Sequence, residues 1–181
     1  MKTMKQFGLM LTMVMATLLS SCSGDDNGGG GGSAANGTIK AKIAGSNFNG
    51  SVASFAMKQS VGAGAYMITL QGSDASGNAL QLILNGVDGQ PGTFEISQSA
   101  GITAVGSYTK ININTSNPMA STYTTWAAPY EGSGVAGSIT ISEITDTTIK
   151  GTFNFTGKNQ DGADTKQVTN GAFNLDFTTG N

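Results

Sequence analysis

Ser107-Tyr108-Thr109-Lys110 has the S-x-x-K spacing of serine–lysine nucleophile pairs. That pair works on a helix, where residues three apart share a face. Here the apolar residues recur with period two, which predicts a strand and sends Ser107 and Lys110 to opposite faces. No K-T-G follows to complete the catalytic set. Glu95, Glu131 and Glu143 offer the carboxylates that glycoside hydrolysis needs in pairs. Glu95 and Glu143 alternate with apolar neighbours, a position that keeps the outer face of a strand wet. Asp161-Gly162-Ala163-Asp164 carries oxygen ligands of the kind Ca²⁺ prefers. The further acids of an EF-hand loop are missing, and hairpin chemistry accounts for the segment without metal. No metal and no cofactor is therefore expected.

The segment Ser121–Gly134, STYTTWAAPYEGSG, gathers Tyr123, Tyr130 and Trp126, the chain's one tryptophan. Aromatic rings on loops of a β-scaffold stack on sugar rings and other flat ligands. Tyr123, Trp126 and Tyr130 are thus a candidate ligand platform. The alternative is that Tyr123 and Trp126 plug one end of the core. Their strand parity is opposite, so in an extended segment one of them faces outward. Pro129 and Gly132 argue against regular strand throughout the segment.

Composition removes several chemistries. Among 181 residues there is no His and no Arg. A Ser-His-Asp or Cys-His catalytic pair and a histidine-type zinc site are excluded, as is the bidentate guanidinium clamp for phosphate. Seven lysines after residue 22 face eleven acids, leaving that part at −4. Nucleic-acid binding needs a basic stripe, and there is none.

The single cysteine, Cys22, has a telling setting. Lys2 and Lys5 precede an apolar run, FGLMLTMVMATLL, from Phe7 to Leu19. As a helix this run spans about 20 Å, short of the roughly 30 Å of a bilayer core. Its length and flanks match the apolar region of a secretory signal peptide. Leu19-Ser20-Ser21-Cys22 resembles the lipobox of bacterial lipoproteins. That resemblance implies cleavage between Ser21 and Cys22 and acylation of the Cys22 thiol and new N-terminus with palmitate-type chains. Two or three such chains hold a protein firmly on a membrane, whereas one does so marginally. With no second cysteine, a disulfide within the chain is excluded. The following SGDDNGGGGGS reads as flexible coil. Ser23, Asp25 and Asp26 also resemble the surface-export signal of Bacteroidetes lipoproteins. An acidic linker on the inner leaflet of the outer membrane is the alternative.

From Gly37 onward, period-two alternation repeats nine or ten times. Ile39, Ala41 and Ile43 show it, as do Tyr66, Ile68 and Leu70, then Leu80, Leu82 and Leu84, then Phe94 and Ile96. Ile111 and Ile113 continue it, followed by Ile139 and Ile141, by Ile149, Phe153 and Phe155, and by Phe173, Leu175 and Phe177. Phe48 and Val52 are out of phase with Phe55 and Met57, which predicts a bulge between Gly50 and Ala53. Turns are expected at 73–78, 85–92 and 158–166. The organisation read is a signal peptide over 1–21, a lipidated Cys and Gly-rich tether over 22–36, and one all-β domain over 37–181. That domain is an antiparallel β-sandwich or barrel-like fold.

The stretch GSITISEITDTTIKGTFNFTGKN…VTNGAFNLDF, within 137–177, resembles the C-terminal half of the DUF6252 family, uncharacterised lipoproteins of Bacteroidetes. GTIKAKIAGSNFNG is similar to that family's opening. The resemblance implies no activity. Asp146-Thr147-Thr148 resembles the short acceptor of O-glycosylation in Bacteroidetes, and also reads as a plain turn.

The functional expectation is an outer-membrane lipoprotein, surface-exposed or periplasmic, that is not an enzyme. It would be a binding or interaction module for a glycan or protein, meeting the membrane through Cys22. The alternatives are a structural envelope lipoprotein without a specific ligand, and a carbohydrate-active enzyme.

Overall fold

The structure is a computed structural model describing residues 32–98 and 103–178. Eleven strands are present among the described residues: β1 (Thr38–Ile43), β2 (Ser46–Gly50), β3 (Phe55–Gly62), β4 (Ala65–Ser73), β5 (Ala79–Val87), β6 (Gly92–Ser97), β7 (Ala104–Asn112), β8 (Thr122–Ala128), β9 (Val135–Ile144), β10 (Thr148–Asn159) and β11 (Thr165–Asp176). The one helical turn among the described residues is a 3₁₀ turn at Pro118–Ala120. The expected all-β fold is what the chain adopts.

The strands join in the order β2-β1-β11-β10-β8-β7-β5-β4-β3, with β9 on β10 and β6 on β9. Every strand pair is antiparallel. β10 is the hinge of the arrangement. Its stretch Ile149–Phe155 pairs with β9, and then Lys158 and Asn159 pair with Ala127 and Trp126 of β8. Gly157 permits that handover, because a Cβ there would lie 2.8 Å from the backbone of Trp126. The far ends of the sheet also meet. Ala56 bridges to Phe177, and its carbonyl accepts from the Thr178 backbone N–H at 2.8 Å. The sheet thereby curls back on itself into a barrel-like sandwich.

The core follows the alternation. Ile39, Ile68, Leu70, Leu80, Leu82, Leu84, Ile139, Ile149 and Leu175 are wholly buried, packed with Phe153, Phe155 and Phe173. Large rings need small partners. Gly106 of β7 faces Phe155, whose ring atoms would stand 2.7 Å from a Cβ at that position.

Three expectations change. No bulge lies between Gly50 and Ala53. β2 ends at Gly50 and β3 begins at Phe55, so the phase shift marks a break in which the chain passes from one end of the strand order to the other. β7 turns Ala104, Gly106 and Tyr108 inward, so Ile111 and Ile113 have the wrong parity for the core. The space Phe155 requires decides that phase, and a local apolar count misses it. The expected 85–92 turn is shorter, because β5 runs on to Val87 past a bulge in its pairing with β4. In β11 a bulge also reverses parity, letting Val168 and Phe173 both face inward. Asn170 there adopts φ +51, a left-handed conformation that asparagine tolerates well.

Candidate functional site

The aromatic segment becomes β8, and β8 divides its rings. Trp126 points inward and is 6% exposed, while Tyr123, three residues earlier, is 76% exposed. Tyr130 is half-buried beyond the Ala128–Pro129 cis peptide, in a turn where its N–H bonds to Ser133 Oγ at 3.2 Å. The three rings therefore do not make one exposed platform. Trp126 is a plug of the core, because its position on β8 shares parity with Ala128, which is fully buried.

Around Trp126 the structure builds a tight corner. Its ring stacks on Tyr108 of β7 with centroids 5.8 Å apart and planes 22° apart. Tyr108 meets Phe48 of β2 edge-on at 6.3 Å. On the outer side the Lys166 ammonium lies 4.6 Å from the Trp126 ring centroid. The indole N–H donates to Asp164 Oδ2 at 2.8 Å, and Asn159 Nδ2 donates to Asp164 Oδ1 at 3.0 Å. The corner thus unites β2, β7, β8 and the β10–β11 hairpin. The indole N–H needs an acceptor when the ring is buried, and the hairpin supplies one.

The charges respond to this setting. The indole N–H and then the Asn159 amide hold the Asp164 carboxyl below the usual aspartate range. Burial first, and then the carboxylate of Asp74, push the Tyr108 phenol up. Asp164, which beside Asp161 has the ligand chemistry for a cation, here accepts from the Trp126 indole N–H. The two residues are 38 apart in the chain, so no local pattern announces the pair. Among the described residues no group of three or more His, Cys, Asp or Glu is placed to hold a metal ion.

The other candidates are separate. Ser107 and Lys110 lie on β7 with opposite parity, as their spacing implied. Glu95 of β6 stands opposite Ser138 of β9, and Glu143 lies five residues further along β9. That is about 17 Å along a strand, beyond the roughly 5–9.5 Å of paired glycosidase carboxylates. Glu143 instead makes an ion pair with Lys150 at 3.0 Å. Glu131 sits in the turn after β8. Thr147 is exposed in the β9–β10 turn, where its carbonyl accepts from Phe177 N–H at 2.7 Å. Ser21 and Cys22, with the whole 1–21 segment, lie outside the described residues.

What sequence reading missed is the outer side of the β7–β8 hairpin. Ile113, Met119 and Tyr123 are all exposed there. The signal was available, since Ile111 and Ile113 have opposite parity to Tyr108.

This fold and corner define a small all-β domain, a barrel-like antiparallel sandwich stapled at one end by a tryptophan. The family model described as domain of unknown function (DUF6252) matches residues 35–175, and the chain belongs to that family. No curated protein and no solved structure matches it.

Proposed function

We propose that this protein is a lipid-anchored binding module of a Bacteroidetes outer membrane, held by acyl chains on Cys22 and displayed at the cell surface. It acts by contact with a glycan or protein and carries out no catalysis. The observation that carries the reading is Leu19-Ser20-Ser21-Cys22, at the end of a thirteen-residue apolar run and before an acidic, Gly-rich linker. That order suits export, cleavage and acylation, followed by a polar spacer that cannot join a core. The domain's geometry supports the reading in a further way: its three glutamates are dispersed over a strand edge, an ion pair and a turn.

Mass spectrometry of the native protein tests the anchor. The N-terminal peptide should begin at Cys22 and carry the added mass of acyl chains. Cys22→Ser should leave the precursor uncut at that site and unacylated. An unmodified Cys22 thiol would end the reading. Protease treatment of intact cells tests display, and digestion only after lysis would place the domain on the periplasmic side. A glycan array and a pull-down with the domain then test the binding role.

A further inference from the structure

The hairpin of β7 and β8 runs on past the core. Tyr108 pairs with Trp126, and beyond them Lys110 pairs with Thr124, Ile111 with Tyr123 and Asn112 with Thr122. On the side that continues the core face the hairpin carries Lys110 and Thr124. On the opposite side it carries Ile111, Tyr123 and Ile113, so polarity is inverted relative to the body of the sheet. Met119, 96% exposed, stands on the 3₁₀ turn that closes the hairpin. Seven large apolar side chains are exposed among the described residues, and three of them fall within residues 113–123. Such concentration marks a contact surface, whereas single scattered apolar residues do not.

The charge pattern narrows the occupant. From residue 96 to 130 there is no acid, and Lys110 is the one charged side chain. This lies in a chain that elsewhere carries eleven acids. The hairpin's apolar side therefore brings no carboxylate of its own to a lipid interface, and Asp74 in the adjoining turn is held by the N–H groups of Ser76 and Asn78 and by the Asn78 amide.

The position of the tip points the same way. Thr38 opens β1, and Ile39 packs against Gly72 at the end of β4. β4 leads into the turn 74–78, where a Cβ on Gly77 would stand 3.8 Å from Ile113 Cδ1 and 3.9 Å from Ile111 Cδ1. Exposed Val52 donates its N–H to Ser73 O at the base of that turn. The domain's entry point and the apolar tip are thus joined by a short series of contacts. Sixteen residue steps separate Cys22 from Thr38, so the entry point can lie no further than about 55 Å from an anchored thiol. A domain of this size has a radius of gyration of about 15 Å, which leaves the tip within reach of the headgroups.

We propose that the β7–β8 tip is a second membrane contact, with Ile113, Met119 and Tyr123 seated in the lipid interface beside the Cys22 anchor. The inference rests on the anchored reading given above for its geometry. Two points of attachment fix the orientation of a body that one flexible tether would leave free to tumble.

Two measurements test it. Acylation of Cys22 leaves an introduced cysteine as the sole free thiol. The lipoprotein bearing Met119→Cys, labelled with a polarity-sensitive dye, is placed in vesicles of phosphatidylethanolamine and phosphatidylglycerol. Its emission should shift to the blue and be quenched by brominated lipid, while a label at Ser60→Cys on β3 should stay aqueous. Separately, a chain beginning at Gly32, which retains the whole closed core, should partition onto the same vesicles without any acyl group. Met119→Ser with Tyr123→Ser should lower that partition by about tenfold or more. An unquenched label at position 119, or partition unchanged by the paired substitution, overturns the proposal. So does a concentration-dependent self-association that the paired substitution abolishes, which would assign the tip to a second copy. A native Cys22 without acyl chains ends the anchored reading alone, because the partition of the Gly32 chain still judges the tip.

Discussion

Trp126 and Tyr123 stand three residues apart on one strand and have opposite fates. At Trp126, β8 is paired on both sides, by Tyr108 of β7 and by Asn159 of β10. At Tyr123 only β7 remains, opposite through Ile111. Where the sheet is two-sided the ring enters the core, gains a stacked neighbour and finds an acceptor for its N–H. Where the strand pairs on one side only, an aromatic of the other parity is left to solvent. Parity turns the two rings to opposite faces, and the second strand neighbour at Trp126 completes the corner that holds the inward one.

Four substitutions probe that contrast. Trp126→Ala should be the most damaging, costing about 3–5 kcal/mol in denaturant unfolding, since it empties a packed site. A loss below about 1 kcal/mol would show that the corner is not part of the cooperative core. Gly157→Ala should follow, at about 1–3 kcal/mol, because the added methyl meets the Trp126 backbone where β10 changes partners.

Asp164→Asn reads the same corner through pH. The folded-state carboxyl titrates below its ordinary value, so its contribution is complete at neutral pH. It is lost as the pH falls below about 4 and through the folded-state value. Thermal unfolding followed against pH should show a downward step there in the native chain and a weaker one in Asp164→Asn. Identical profiles would remove the Asp164–Trp126 bond from the account of stability. Tyr123→Ala should be the mildest, within about 0.5 kcal/mol. A large loss there would mean that the hairpin tip is structural and would undo the contrast.

Period-two alternation carries most of the fold. It places Ile39 to Ile43, Ile68 and Leu70, Leu80 to Leu84, and Ile149 to Phe155 correctly, because burial on one face of a strand is a local property of the chain. The errors arise where the deciding partner is distant. Ile111 and Ile113 are apolar and alternate well, yet Phe155, more than forty residues away, needs Gly106 beneath it and so sets the inward phase of β7. The parity reversal in β11 depends on a left-handed Asn170, which an Asn-Gly pair permits without requiring. The candidate site was readable only in part. Opposite facings for Tyr123 and Trp126 followed from parity alone, but the Asp164 acceptor lay across a hairpin that only the folded sheet brings home.

The pairing of β1 with β11 joins Thr38 to Asn174. The earliest strand to leave the ribosome therefore waits for the last before one of its edges is satisfied. Until residues 165–176 arrive, β1 and β10 each keep a row of bare amides and carbonyls, and such edges recruit other chains. Contacts so far apart in the chain also slow the search for the native state. A nonsense codon between β10 and that final strand should yield an aggregating fragment and not a shortened domain.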